Sequence, residues 1–238
     1  MTTMMKRSMA TMALILASIA LWGQKEIALD DFHGLSATGN VKVYLTKGEK
    51  ASAQLYAEGI PEDEVTVRVV QGILRVASLN SFMYKDAVIK VYATYTALDE
   101  IRATAGAFVK SEAPVNAAKL DVHAGSGAQV ELALEVQSLE ASASEGARLT
   151  LSGQADTQEA SAATGGQYQA GSLTTKKTYV RSHTGARAEV GAEEHLEISA
   201  TTGGEVRYHG NPKNKYIKNV LGGDVKQVRK PGSDKEEN

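Results

Sequence analysis

The side chains here that could do chemistry are carboxylates and histidines. The chain has zero cysteines, which excludes a thiol nucleophile, a thiolate metal site and a disulfide. Glu100, Asp121, Glu140 and Glu159 recur at steps of 21, 19 and 19 residues. If the intervening chain forms regular coils, that ladder places carboxyls at separations of roughly 5–10 Å, the range glycoside hydrolysis uses. It would equally touch a cation or a sugar. Hydrolysis also requires one carboxyl whose pKa is raised by its surroundings, and stacked columns reach such spacings by accident, so the ladder reads first as a solvated acidic face. Neighbouring repeats set Arg187 beside Glu205 and Glu189 beside Arg207, cross-strand ion pairs each worth under about 1 kcal/mol. The five histidines, His33, His123, His183, His195 and His209, show no H-x-x-x-H spacing. Serines are frequent, yet no G-x-S-x-G elbow occurs. This reading assigns no catalytic residue, no cofactor, no metal ligand and no named ligand-binding residue.

The elements that would position such residues follow from an internal period. Units of the form x-G-[AG]-x-apolar place glycines at Gly106, Gly127, Gly146, Gly165, Gly185, Gly203 and Gly222, in steps of 18 to 21 residues, with an isolated further copy at Gly39. Three residues after each glycine stand Val109, Val130, Leu149, Tyr168, Ala188, Val206 and Val225, mostly apolar, whereas the residues one position earlier are mostly polar. Five residues before each glycine stand Ile101, Val122, Ala141, Ala160, Val180, Ile198 and Ile217. Alternation of period two on both sides of a glycine marks strands with one buried face. Two strands and a corner in about 19 residues leave no room for a helix, and one unit cannot bury its own apolar face, so the units must stack about 4.8 Å apart. The expected fold is all-β, a single-chain parallel β-helix (β-solenoid), right-handed. Small residues flank the corners because the interior there is narrow, and the glycines serve as structural turn residues through backbone angle or close approach.

The rest of the chain divides around that block. Residues 1–23 carry Lys6 and Arg7 before an apolar run of signal-peptide length, read as a cleaved secretory signal. Residues 24–97 hold the strand-like segments NVKVYLT, ASAQLYA, VTVRVV, ILRVASL and AVIKVYAT, with hairpin-like links at KGEK and at Gln71–Gly72. They form a partly antiparallel β-rich section that continues into the solenoid and covers its first edge. Solenoid repeats occupy 98–229, and 230–238 is a charged tail expected to be disordered. Lys213, Lys215, Lys218, Lys226, Arg229 and Lys230 gather at the last coil, where charge reads first as protection of an open edge and second as a contact for an anionic surface. Nearly balanced charge, with no basic block interleaved with aromatics, argues against nucleic acid. No second apolar run of spanning length follows residue 23. Aromatics are only 5% of the chain, and Tyr168, Tyr179, Tyr208 and Tyr216 read as lying in different columns, a thin platform for sugars.

The glycine corners, the opening FHGLSATGNVKVYLTKGE, the GILRVAS segment and the late VRYHGNPK together resemble the head GIN domain of auto-transporter adhesins over roughly residues 30–225. The resemblance implies a β-helical fold and an envelope or surface location in Bacteroidetes-type bacteria. It carries over no catalytic residue. The expected function is an exported, non-enzymatic surface or periplasmic β-solenoid of a Gram-negative cell, an adhesin or envelope interaction module. Its partner would be a cell-surface glycan or protein, and self-association is open to it. The competing reading is a carbohydrate-active β-helix enzyme, a polysaccharide lyase or hydrolase, which would need a groove with clustered charge and perturbed pKa values.

Overall fold

The structure is a computed structural model that describes residues 24–228, residue 85 aside. The signal expected over 1–23 and the tail expected over 230–238 lie outside the described residues. Strands follow one another from the start: β1 (Gln24–Ala28), β2 (Gly34–Gly39), β3 (Lys42–Lys47), β4 (Ser52–Glu58), β5 (Thr66–Val70), β6 (Ile73–Ser78), β7 (Val88–Tyr95), β8 (Glu100–Thr104) and β9 (Phe108–Ser111). The repeats supply β10 (Val115–Ala124), β11 (Gln129–Ala143), β12 (Arg148–Ala162), β13 (Gln167–His183), β14 (Arg187–Gly191), β15 (His195–Thr201), β16 (Glu205–His209), β17 (Asn214–Val220) and β18 (Asp224–Gln227). The only helical pieces among the described residues are two three-residue 3-10 turns, Glu62–Glu64 and Ser81–Met83.

The chain is a β-solenoid of about seven turns. From β8 onward every pairing is parallel and joins one coil to the next. Side chains therefore superpose in columns, and Val109, Val130, Leu149, Tyr168, Ala188, Val206 and Val225 are register partners in unbroken succession. The second interior column runs from Ile101 through Val122, Ala141, Ala160, Val180 and Ile198 to Ile217. Nearly all members are buried until the last described coil, where Ile217 is 45% exposed because no further coil among the described residues covers it. β11, β12 and β13 each cross from one face of the coil to the other, bending where pairing lapses at Gln137, Asp156 and Lys176.

The glycine corner is a two-residue turn in which both central residues have positive φ. The seven glycines lie at φ 68° to 82°, and Ala105, Ser126, Glu145, Thr164, Thr184, Thr202 and Leu221 before them lie at 48° to 54°. The amide after each glycine closes the turn on the carbonyl three residues back, as in Gly166 to Ala163 at 2.8 Å and Ala147 to Ser144 at 3.0 Å. These are the φ signs and the hydrogen bond of a type I′ turn. The turns also stack: the Gly127 amide donates to the Glu145 carbonyl at 3.0 Å and the Gly146 amide to Thr164 at 3.2 Å. Of the two reasons the repeat allows for glycine, backbone angle is the operative one at Gly146, since a Cβ there would meet nothing within 4 Å. Close approach acts one residue later, where a Cβ on Gly166 would stand 2.2 Å from the Ala143 carbonyl oxygen.

Departures from the 19-residue period have local causes. The 21-residue step comes from Ala113–Pro114, a detour between β9 and β10; the Ser111 hydroxyl accepts from the Ala133 amide at 3.1 Å across the gap. The 20-residue step carries a bulge in β13, where Ala170 and Gly171 oppose Leu151.

The front section is partly antiparallel and caps one end, by a route the repeat did not reveal. β2 is parallel to both β6 and β8, and β3 to both β7 and β9. The first coil in sequence is thus inserted between the second and the third. β4 is antiparallel to β7 and to β1. Of the two hairpins expected, β5 and β6 form one, turning at Gln71 (φ 53°) and Gly72 (φ 76°). KGEK is not a hairpin, because β7 lies between β3 and β4. Gly39 also differs from the expected copy. Leu35 pairs with Ile101 and Val43 with Val109, a constant offset that sets Gly39 opposite Ala105 and Asn40 opposite Gly106. A Cβ on Gly39 would lie 2.2 Å from the Ser78 carbonyl oxygen, so close approach applies there.

Candidate binding surfaces

Where the long strands bend, their outward residues line a shallow groove of about 610 Å³ that runs along the stack across five coils. Three columns build it. Asn116, Glu135, Gln154 and Thr174 are successive register partners at one wall, and Ala117, Val136 and Ala155 form a small apolar floor. Gln137, Asp156 and Lys176 stand at the bend, where the unpaired backbone turns them outward. Lys176 Nζ bonds Asp156 Oδ1 at 2.7 Å, and that hydrogen bond holds the lysine pKa above its ordinary value. Glu193 closes the far end. The arrangement offers amide, hydroxyl and charged groups at the coil spacing over a floor of methyl groups. That is chemistry for binding an extended polar chain lying along the stack. Sequence reading missed this groove because its small floor residues look like any other interior alanine, and only the lapse of alternation at Gln137 and Ser138 betrays the bend.

The expected acidic ladder exists as drawn. Glu100, Asp121, Glu140 and Glu159 are register partners on consecutive coils, with Glu100 held by Arg102 and Glu140 3.5 Å from Lys119. Arg187 reaches Glu205 at 3.1 Å, as expected. Glu189 and Arg207 are register partners, but their charges go elsewhere: Arg207 bonds Glu205 at 2.8 Å, and Glu189 takes His209 at 2.7 Å. The tyrosines also need correcting. Tyr179 and Tyr216 share one outward column, separated by Glu197, and His195 bridges their rings at centroid distances of 5.3 and 5.7 Å. A second aromatic cluster lies toward the opposite end, where Tyr44 stacks on Tyr92 at a centroid distance of 5.0 Å and meets Phe108 edge to face at 6.2 Å. Tyr168 and Tyr208 are buried.

Several polar groups are interior. Tyr168 Oη accepts from Gln158 Nε2 at 2.7 Å, and burial raises the phenol pKa far above its usual range. Thr175 and Thr178 both donate to the Gly191 carbonyl, at 2.6 and 2.7 Å. His209 is buried against Glu189 in space that Gly171 leaves open, since a Cβ there would stand 2.5 Å from Glu189 Oε1. The bulge that admits Gly171 thus makes room for the pair. His33 pairs with Asp99 at 2.9 Å and His123 with Ser142 at 2.8 Å. Among the described residues no three His, Asp or Glu side chains come together as a metal cluster.

Fold and surface together define a parallel β-solenoid that presents a polar groove along its stack. The chain belongs to the family described as putative auto-transporter adhesin, head GIN domain, whose profile matches residues 31–212. Solved structures give the same fold. A putative adhesin from Bacteroides fragilis NCTC 9343 superposes with a TM-score of 0.75 at 20% identity, covering 86% of this chain and 96% of that one. A putative adhesin from Parabacteroides distasonis ATCC 8503 gives 0.67 at 19% identity with the same coverage. A protein described as a putative lipid binding protein from that organism gives 0.61 at 13% identity, again covering 86% and 96%. No curated protein matches the chain.

Proposed function

We propose that this chain is an exported, non-enzymatic adhesion module of the cell surface or periplasm, and that it binds a glycan laid along its groove. One observation carries the reading: five consecutive coils expose a continuous run of amide, hydroxyl and charged side chains above the Ala117–Val136–Ala155 floor. A polysaccharide needs many weak polar contacts at a regular spacing, and the stack supplies one set per coil. The groove carboxylates favour binding over cleavage. Asp156 is neutralised by Lys176, and the groove is open to solvent rather than enclosed by apolar walls that would keep an acid protonated. Membership of an adhesin family supports the same class of function and an envelope location. No helix among the described residues is long and apolar enough to cross a membrane.

The test is a glycan array read beside a depolymerisation assay, with Gln154→Trp to fill the groove and Gln129→Trp, on a different outward column, as control. Gln154→Trp is expected to weaken binding at least tenfold while Gln129→Trp leaves it unchanged, with no new reducing ends or unsaturated products from either. Binding unaffected by Gln154→Trp removes the groove from the function, and product release removes the non-enzymatic reading. Retention by phospholipid vesicles and by no glycan would move the ligand to the lipid class named for one structural neighbour.

A further inference from the structure

The two ends of the stack are cut sections of the same core. At one end, among the described residues, β17 is hydrogen-bonded only to β15 and β18 only to β16. Every residue of β17 is exposed, including Tyr216 at 61% and Ile217 at 45%, and Leu221 beyond it reaches 82%. Val225 is only partly buried. At the other end β5 is bonded only to β6 and β1 only to β4. Val67 and Val69, whose register partners Val76 and Leu74 are fully buried, are themselves only partly covered, as is Ile27 of β1. Both ends present open strand edges above half-covered apolar side chains.

Charge separates the ends. Residues 213–228 hold Lys213, Lys215, Lys218 and Lys226 against one acid, Asp224. Residues 51–70, which lead into and include β5, hold Glu58, Glu62, Asp63 and Glu64 against one base, Arg68. Lysines on an edge ordinarily discourage pairing. Here they repel a second lysine edge but attract the acidic one, so they select polarity rather than forbid association.

We infer that copies of this chain stack head to tail, the β17–β18 end of one against the β5–β1 end of the next. Adding the next copy by translation along the stack brings β5 to the side of β17, running antiparallel to it because β5 opposes the coil direction. β18 pairs with β1 in parallel, because β1 is antiparallel to β4, which is antiparallel to β7. Past β8 one face carries three strands, β2, β6 and β5, and past β9 the other carries four, β3, β7, β4 and β1, so β1 stands one strand spacing beyond β5; the β18–β1 ladder continues its face across the junction, and β17 meets β5 across the width of one strand. Such a contact is heterologous and does not close, so it generates open filaments rather than a dimer. The groove lies on coils inside the stack and is left free.

Sedimentation velocity on the chain as its host processes it, across a concentration series at low and high salt, tests this. Expected is a mass that climbs past the dimer with concentration and falls with salt. Reversing the basic end (K213E, K218E and K226E together) or the acidic end (E62K, D63K and E64K together) is expected to weaken association at least tenfold, and both reversals in one chain to restore it. If a reversal variant loses its β-sheet circular dichroism, Leu221→Asp at the exposed edge is the replacement and is expected to weaken association similarly. A monomer at every concentration overturns the inference. So does association unchanged by the acidic-end reversal, which would mean that like ends pair, or a double reversal that stays monomeric. Glycan binding is scored separately, so failure here leaves the groove reading standing.

Discussion

Thr164, Thr184 and Thr202 hold φ at 48°, 54° and 50°, a left-handed conformation that β-branched residues rarely adopt. The stacked turns force it, because each corner must present its next amide and carbonyl to the coils above and below. Asparagine tolerates that conformation and is favoured in type I′ turns. Thr184→Asn is therefore expected to raise stability by about 0.5–1 kcal/mol, read as a higher urea midpoint with unchanged m. Gly165→Ala should lower it by about 1 kcal/mol through φ alone, and Gly166→Ala by more, since its Cβ would press on the Ala143 carbonyl. Equal losses at the two glycines would refute this division of labour. Corner glycines were legible in the sequence, but the strained residue before them was not, because Ala, Ser, Glu, Thr and Leu share no turn signal. Tyr168 gives a pH test. Its folded pKa is raised above the ordinary 10.0 by burial, so the folded state keeps a proton that the unfolded chain releases. That stability is fully present below about pH 10 and is lost as pH rises beyond it, at roughly 1.4 kcal/mol per pH unit while the phenol stays protonated. Tyr95, also raised by burial, contributes in the same direction. Tyr168→Phe should lose less stability than the parent between pH 9 and 11; identical slopes would mean that the phenol is not protected.

At the scale of the element, a coil is held by what lies above and below it. Leu149 is fully buried between Val130 and Tyr168 in the column that runs through seven coils. Leu149→Ala leaves a gap that neighbours cannot fill without breaking two registers, and about 2–5 kcal/mol is expected, read by denaturant titration. A loss below about 1 kcal/mol would mean that the stack closes over the gap, contrary to a rigid column. The period made these coils readable, because columns superpose only when the spacing is nearly constant. It also hid the groove, since the bends at Gln137, Asp156 and Lys176 interrupt the alternation without a glycine or proline to announce them. The order of the front coils was hidden for another reason. Nothing in the segments β2, β3, β6 and β7 states which of them lies next to β8, and the inserted order is decided by long-range pairing alone.

Taken as a whole, the molecule is close to one-dimensional, and its stability should vary along the stack. An interior coil such as that of β11 and β12 is hydrogen-bonded on both sides, whereas the β17–β18 coil has one neighbour. In a nearest-neighbour chain the end unit opens at the cost of one interface and interior units at the cost of two, so opening should begin at the ends. The N-terminal end is better defended, because β1, β4 and β5 cross-brace its edge with antiparallel pairings. Among the described residues the β17–β18 end has no such cover, and Lys215 stands in the column that Leu196 fills one coil earlier. Amide exchange followed by mass spectrometry should show residues 214–227 exchanging well ahead of 129–162, with the 24–78 section between them. Head-to-tail stacking would add a second neighbour to β18, so raising the protein concentration should slow exchange in 224–227 and in 24–28 together and leave 129–162 unchanged. Uniform protection along the chain would show that the stack opens as one cooperative unit rather than coil by coil.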